Sequence, residues 1–221
     1  MTGTEMLDLL GLRLEDPSET NFTEATKLDT INVAIHLVVN AMDNAFLSEL
    51  ETLDDDKTVT AGKIKISNVL SYTPIRKSIT VVYDETNNVY CSIIEAKDIK
   101  RTENSYLTGS TTNPICYIFG DFIYFQPTSI ALADVWYLKE PSEFVSTGAT
   151  GNQLNKSAEC ELNQALHPIV VDLAEGQLWK MDNKLDRSQA AQASGMVFVE
   201  TLNSRYPSER PKGIGTAGRQ L

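Results

Sequence analysis

Along the first fifty residues apolar positions recur at steps of three and four, whereas through the middle third they alternate with polar ones, so the chain changes period. Residues 5–14 read as a short helix with Met6, Leu7, Leu9, Leu10 and Leu14 available for burial, stopped by Pro17. The clearest helical pattern follows. Leu28, Ile31, Ile35, Val38, Met42 and Phe46 form a stripe that Ala34, Val39 and Ala45 widen, which predicts a helix of about six turns. Asn21 with Glu24 has the spacing of a capping box, and Thr23 is a second candidate cap. Three adjacent carboxylates, Asp54, Asp55 and Asp56, oppose a helix macrodipole at its C-terminus and repel one another, so the helix should fade into an acidic turn there.

The middle third is β-rich. Ile64 and Ile66 alternate with lysines, and the β-branched runs 79–83 and 89–94 flank a turn at residues 85–88, which predicts a hairpin. A second hairpin is predicted where residues 115–119 and 122–125 flank Gly120-Asp121, because glycine at the first central position suits a two-residue type II′ turn. Residues 133–138 supply a third strand and complete a meander. Residues 146–157 read as a loop that returns the chain to helix. Pro168 is tolerated in a first turn and opens a helix carrying Ile169, Val170, Leu173, Ala174, Leu178 and Met181. A last helix over 186–205 would bury Ala190, Ala193, Val197, Phe198 and Leu202.

These elements predict an α+β chain: a helical bundle of one long N-terminal helix plus a C-terminal helix pair, with an antiparallel β-rich insert. The expected boundaries are 1–58 with 150–205 for the bundle, 59–149 for the insert and 206–221 for a flexible arm. That arm holds two Pro and three Gly after Tyr206 and too few apolar residues to fold alone.

Charge narrows the function classes. The net charge is −11, which argues against tight wrapping of nucleic acid, since duplex affinity comes largely from Lys and Arg on phosphates. Counting Arg205, Arg210, Lys212 and Arg219 against Glu209 gives the C-terminal segment +3 and leaves −14 for the rest. A basic arm of this kind can order on an acidic neighbour. Cys91, Cys116 and Cys160 are odd in number and lack a CxxC pair, so neither a disulfide framework nor a zinc site is expected. No apolar run is long enough for a membrane helix, and the first residues lack the pattern of a signal peptide, so synthesis in the cytoplasm is expected.

Candidate chemistry is sparse. His36 lies in the long helix and His167 abuts Pro168, which suits packing or capping better than base catalysis. Gly213-Ile214-Gly215 with Gly218 matches a dinucleotide loop in letters only, because it follows a helix rather than a strand. The Asp54–Asp56 run lacks the glycine and spacing of a calcium loop and reads as a solvated turn or as part of an acidic channel wall. Tyr117, Phe119, Phe122, Tyr124 and Phe125 could stack bases, but no Lys or Arg lies between Arg101 and Lys139, so a sheet core is the better reading. No cofactor, metal or catalytic residue is expected.

Three stretches carry a resemblance: residues 28–46, residues 114–141 (with ICYIFGDFIYFQP and WYLKEP), and residues 162–174 (with HPIVV) paired with 190–202. In order and spacing the chain resembles the head-to-tail adaptor proteins of tailed bacteriophages, including the tail tubular protein A group. The resemblance implies a structural subunit of the virion, about twelve copies in a closed ring with heterologous contacts. The ring would sit between the portal protein and a downstream tail tube or nozzle protein, and DNA would pass through its lumen without specific binding. Arg205, Tyr206, Arg210, Lys212 and Arg219 would then form the portal-binding arm. A different class of reading is a tail-associated receptor- or carbohydrate-binding module that uses the β-rich insert. A third, a hydrolase built on Glu159 and Glu161, lacks a supporting motif.

Overall fold

The structure, a computed structural model, describes residues 1–16, 18–103 and 108–205. The chain divides into two compact units, Met1–Glu49 with the chain from Pro141 onward, and Leu50–Glu140.

In the first unit the helices begin where local chemistry dictates. Helix α1 (Gly3–Arg13) is capped by Thr2, whose hydroxyl accepts from the Glu5 amide while the Glu5 carboxylate accepts from the Thr2 amide. Helix α2 (Glu24–Ala41) is capped by Thr23. Between them Asp16 is buried, yet it accepts from the amides of Thr20, Asn21 and Phe22 at 2.7, 3.1 and 3.0 Å and lies 3.3 Å from the Lys27 ammonium. Burial pushes this carboxyl up, but the three amides and Lys27 outweigh it and hold the group below its ordinary value.

The predicted helical bundle with its long N-terminal helix is not what forms. Helix α2 stops after 18 residues at Ala41, and Met42 is already extended. The cause lies 160 residues away, where Asn203 donates to the Ala41 carbonyl at 2.9 Å and accepts from the Asp43 amide at 3.2 Å. One side chain thus satisfies groups that a continuing helix would have used itself. Residues 44–50 continue in two 3₁₀ turns that still bury Leu47 and Leu50.

Helix α3 (Ile66–Val69) is a single turn in the second unit, while α4 (His167–Met181) and α5 (Leu185–Arg205) complete the first. Helix α4 is apolar on nearly every side and packs on α1, α2 and α5, so this unit is organised about one buried helix. The α4–α5 pair does not make a clear bundle. Arg13 of α1 closes over α4 by pairing with Asp172 and, at 3.3 Å, with Glu175. Strand β10 (Gln153–Asn155) lies within residues 146–157, where a plain loop is expected, and pairs in parallel with β9 (Glu143–Val145), which precedes them.

The second unit contains β1 (Glu51–Thr58), β2 (Lys63–Lys65), β3 (Pro74–Asp84), β4 (Val89–Tyr90), β5 (Ser92–Ile94), β6 (Ile115–Phe119), β7 (Phe122–Gln126) and β8 (Leu132–Lys139). They form two four-stranded sheets, ordered β1-β8-β3-β4 and β2-β7-β6-β5. Both send side chains into one core, including Val82, Val135 and Tyr137 from the first and Ile64, Ile123 and Phe125 from the second. Gly120 takes φ +63° while Asp121 stays outside the positive-φ set, as a type II′ turn demands.

Three expectations for this region are corrected. The β2-β7-β6-β5 sheet is mixed rather than antiparallel, because β5 pairs parallel with β6, whereas every pairing in the β1-β8-β3-β4 sheet is antiparallel. Strand β8 does not complete a meander with β6 and β7; it crosses to lie between β1 and β3. The segment 79–94 forms only a short hairpin, Tyr83 opposite Tyr90 and Asp84 opposite Val89, before β5 leaves for the other sheet.

Candidate functional site

The acidic run lies in a strand, not in a turn at a helix end. Asp54, Asp55 and Asp56 belong to β1, where the register to β8 shifts between Asp54 and Lys57. Asp54 points inward and is buried, while Asp55 and Asp56 are exposed. The Asp54 carboxylate accepts from the Ser71 amide and hydroxyl, from the Tyr137 hydroxyl at 2.6 Å, and pairs with Lys57 at 3.1 Å. Burial raises this carboxyl, but those donors together hold it below its ordinary value. The Tyr137 hydroxyl is pushed up by burial and by Asp54, and it also accepts from the Tyr72 amide at 3.0 Å. This is a fixed structural network without a free reactive group.

A second acidic grouping surrounds β8. Asp134 accepts from the Asp56 amide at 2.8 Å, and its hydrogen bond with Glu85 raises the Glu85 carboxyl. Asp84 is fully buried and accepts from the amides of Thr86 and Asn87, closing the β3–β4 turn. Among the described residues no group of three or more His, Cys, Asp or Glu is placed to hold a metal ion.

The remaining candidates are also drawn into packing. His36 lies 3.5 Å from Glu143, and the His167 Nε2 lies 2.8 Å from the Leu162 carbonyl oxygen. Burial pushes the His167 imidazole below its ordinary value. Glu161 accepts from the Ser142 amide at 2.8 Å, and Glu159 pairs with Thr2 in an isolated bridge. Cys91, Cys116 and Cys160 are free and buried. Of the aromatic residues on β6 and β7, Phe125 enters the core, but Tyr117 and Tyr124 stack at 5.0 Å on the opposite face and Phe119 is 64% exposed. Lys63, absent from that stretch of sequence, is brought over the Phe122 ring at 4.9 Å. Of the arm residues only Arg205 is described, at the end of α5; Tyr206, Arg210, Lys212 and Arg219 lie outside the described residues.

What stands out is an apolar surface that the periodicity assigned to the interior. Helix α5 buries Ser188, Gly195 and Val199 and leaves Ala190, Ala193, Val197 and Phe198 outside, Val197 being 59% and Phe198 56% exposed. Glycines decide this orientation. A Cβ on Gly176 would lie 2.6 Å from Gln192 Cγ and 3.1 Å from the Ser188 carbonyl oxygen, and one on Gly195 would lie 3.0 Å from a Leu173 methyl. The helices therefore approach through their small residues, and Ser188 donates to the Gly176 carbonyl at 2.7 Å across the seam. Close packing with a hydrogen bond has won over the larger apolar side.

Beside that seam runs a groove of about 390 Å³ lined by Leu37, Asn40, Ala41, Leu173, Gln177, Gln192 and Met196. It carries no charged side chain. Leu37 is 45% and Met196 41% exposed, and neither fits the stripe that sequence periodicity assigned to the core. Their apolar character off that stripe was the signal to follow.

No family model and no curated protein matches the chain. No helix of the described residues is long and apolar enough to cross a membrane.

Proposed function

We propose that this chain is a structural subunit of the ring that joins head to tail in a tailed bacteriophage, working by assembly rather than by catalysis. The observation that carries the reading is the α5 surface, where Val197 and Phe198 face solvent beside Ala190 and Ala193 on a helix that buries only three of its 21 residues. An apolar surface of this kind marks a place for a partner. The residues that resemble adaptor proteins supply the identity of the assembly: copies of the same chain in a closed ring of about twelve, with the portal protein on one side and a tail tube or nozzle protein on the other.

In this reading Asp55 and Asp56 contribute to an acidic wall that keeps passing DNA from sticking, whereas Asp54 is withdrawn into its hydrogen bonds. Arg205, Tyr206, Arg210, Lys212 and Arg219 form the portal contact. Electron microscopy of the purified protein mixed with its portal tests the assignment: rings capping the portal are expected, and a protein that stays monomeric and never binds portal overturns it.

One observation favours the second reading, a glycan- or receptor-binding module. The stacked Tyr117–Tyr124 pair with exposed Phe119 presents flat aromatic surface on the second unit. Binding to cell-surface glycans that is lost in Tyr117→Ala, without portal affinity, would establish it instead.

A further inference from the structure

The β2-β7-β6-β5 sheet has one face in the core and one outside it. Ile64, Cys116, Ile123 and Phe125 point inward, so their neighbours along each strand point outward. Two rows cross that outer face in the register of the strands: Lys63, Tyr124 and Tyr117, then Lys65, Phe122 and Phe119. Each row is a lysine followed by two aromatic rings, and the rows lie two residues, about 7 Å, apart. Along the sequence these rings have no cation beside them; β2 supplies the cations by pairing with β7.

Neither lysine is taken up by a carboxylate. Lys63 lies over the Phe122 ring at 4.9 Å, and among the described residues neither it nor Lys65 has an acidic partner. Lys77 reaches the tip of the same hairpin and donates to the Gly120 carbonyl. The one carboxylate of residues 115–126, Asp121, turns to Ser67 and accepts from its amide at 3.2 Å and its hydroxyl at 2.5 Å. Glu95, just beyond β5, pairs with Lys97. The Tyr117 and Tyr124 planes stack within 8° of one another, and Phe119 is 64% exposed.

This chemistry selects a partner. Ammonium groups without carboxylates attract a polyanion, and the rings beside them offer surfaces on which flat groups stack; a single-stranded nucleic acid brings one phosphate and one base in every repeat. A duplex keeps its base faces covered by their neighbours. A glycan needs polar groups placed to match its hydroxyls, whereas the six residues of the two rows include no carboxylate and no amide side chain. The net charge of −11 over the whole chain limits contact with a polyanion to this local patch.

We propose that the outer face of the β2-β7-β6-β5 sheet binds a short stretch of single-stranded nucleic acid without sequence preference, Phe119 and its neighbouring rings taking the bases and Lys63 and Lys65 the phosphates. This does not rest on the ring reading, because all of these residues lie within Leu50–Glu140, whereas α5 belongs to the other unit.

The test measures fluorescence anisotropy of a labelled oligothymidine titrated with the full chain, from low salt upward. Binding is expected at low salt, and its constant should fall with salt on a log–log slope of about −1.4, the value for two phosphates neutralised on a single strand. Lys63→Gln together with Lys65→Gln should flatten that slope. Phe119→Ala should weaken binding by about tenfold, within the range for one base stacked on one ring, while Phe119→Tyr, which keeps a ring, should bind as the parent does. All three side chains lie on the surface, and far-UV circular dichroism with thermal unfolding confirms that the variants retain the parent fold. Absence of binding at low salt overturns the proposal, and so does equal affinity for the same strand paired with oligoadenosine. Binding that survives both the Phe119→Ala and the lysine changes belongs to the basic residues Arg210, Lys212 and Arg219 and overturns it as well. Capture of neutral or acidic oligosaccharides in place of oligothymidine would overturn it in favour of a glycan.

Discussion

Replacing Gly176 by alanine probes the seam that turns the apolar side of α5 outward. The added Cβ would lie 2.6 Å from Gln192 Cγ, 3.1 Å from the Ser188 carbonyl oxygen and 3.2 Å from the Gln192 amide nitrogen. Two of these three neighbours are backbone atoms of α5, so relief requires the helices to separate. Overpacking of this kind costs about 1–3 kcal/mol. Separation also weakens the Ser188 hydrogen bond to the Gly176 carbonyl, worth about 1 kcal/mol. Alanine's better helix propensity returns about 1 kcal/mol. The net expectation is a loss of about 1–3 kcal/mol. Gly195→Ala should cost less, because its nearest neighbours are Leu173 side-chain carbons at 3.0 and 3.1 Å, which can rotate. The chain has two tryptophans, Trp136 in β8 and Trp179 in α4. In a Trp136→Phe background, guanidinium unfolding followed by Trp179 fluorescence therefore reports on the unit that contains the seam. A Gly176→Ala protein as stable as its parent, or less affected than Gly195→Ala, would refute the reasoning.

Other consequences can be checked by the same unfolding measurement. Asn203→Ala removes both bonds that end α2 and should cost about 1–2 kcal/mol, with a control at exposed Ser204 unchanged. Tyr137→Phe leaves the Asp54 carboxylate and the Tyr72 amide each short of a partner and should cost about 1–3 kcal/mol, read from Trp136. The lowered Asp54 carboxyl stabilises the fold above the unfolded value of 3.8, and that contribution disappears as pH falls through the folded value. Asp54→Asn should accordingly flatten the acid limb of the stability profile below about pH 4. His167 is held neutral by burial, so the unfolded chain takes up its proton first as pH falls below 6.5 and stability declines. His167→Gln should lessen that decline, and an unchanged slope would remove His167 from its cause.

Local chemistry was legible where it acted alone. The Thr23 cap, the proline in the first turn of α4 and the Gly120 turn each depend on residues within a few positions, and each appears in the structure. The end of α2 was hidden because Asn203 supplies it from far along the chain. Three consecutive aspartates predict an acidic turn at a helix end, but in β1 Asp54 meets Ser71, Tyr137 and Lys57 and only two charges stay outside. The orientation of α5 differs from its periodicity for a different reason. Hydrophobic periodicity measures the preference of large side chains, whereas this helix docks through Ser188 and Gly195, whose contribution is the nearness they permit. The candidate surface is most of that apolar stripe turned outward: Ala190, Ala193, Val197 and Phe198 are exposed, whereas Leu202 is half-buried.

The pairing of β1 with β8 has a consequence for how such a chain can be rearranged. Glu51, at the start of the second unit, stands opposite Leu138, near its end. Antiparallel partners lie about 5 Å apart, so the two crossings between units are neighbours in the same ladder. A few residues suffice to bridge that gap. Residues 50–140 therefore behave as a cassette: a short loop can replace them without stretching the flanking backbone, and another domain with adjoining termini can take their place. Insertions, deletions and exchanges at this one junction could alter what the β-rich unit presents while leaving α1, α2, α4 and α5 unchanged in sequence.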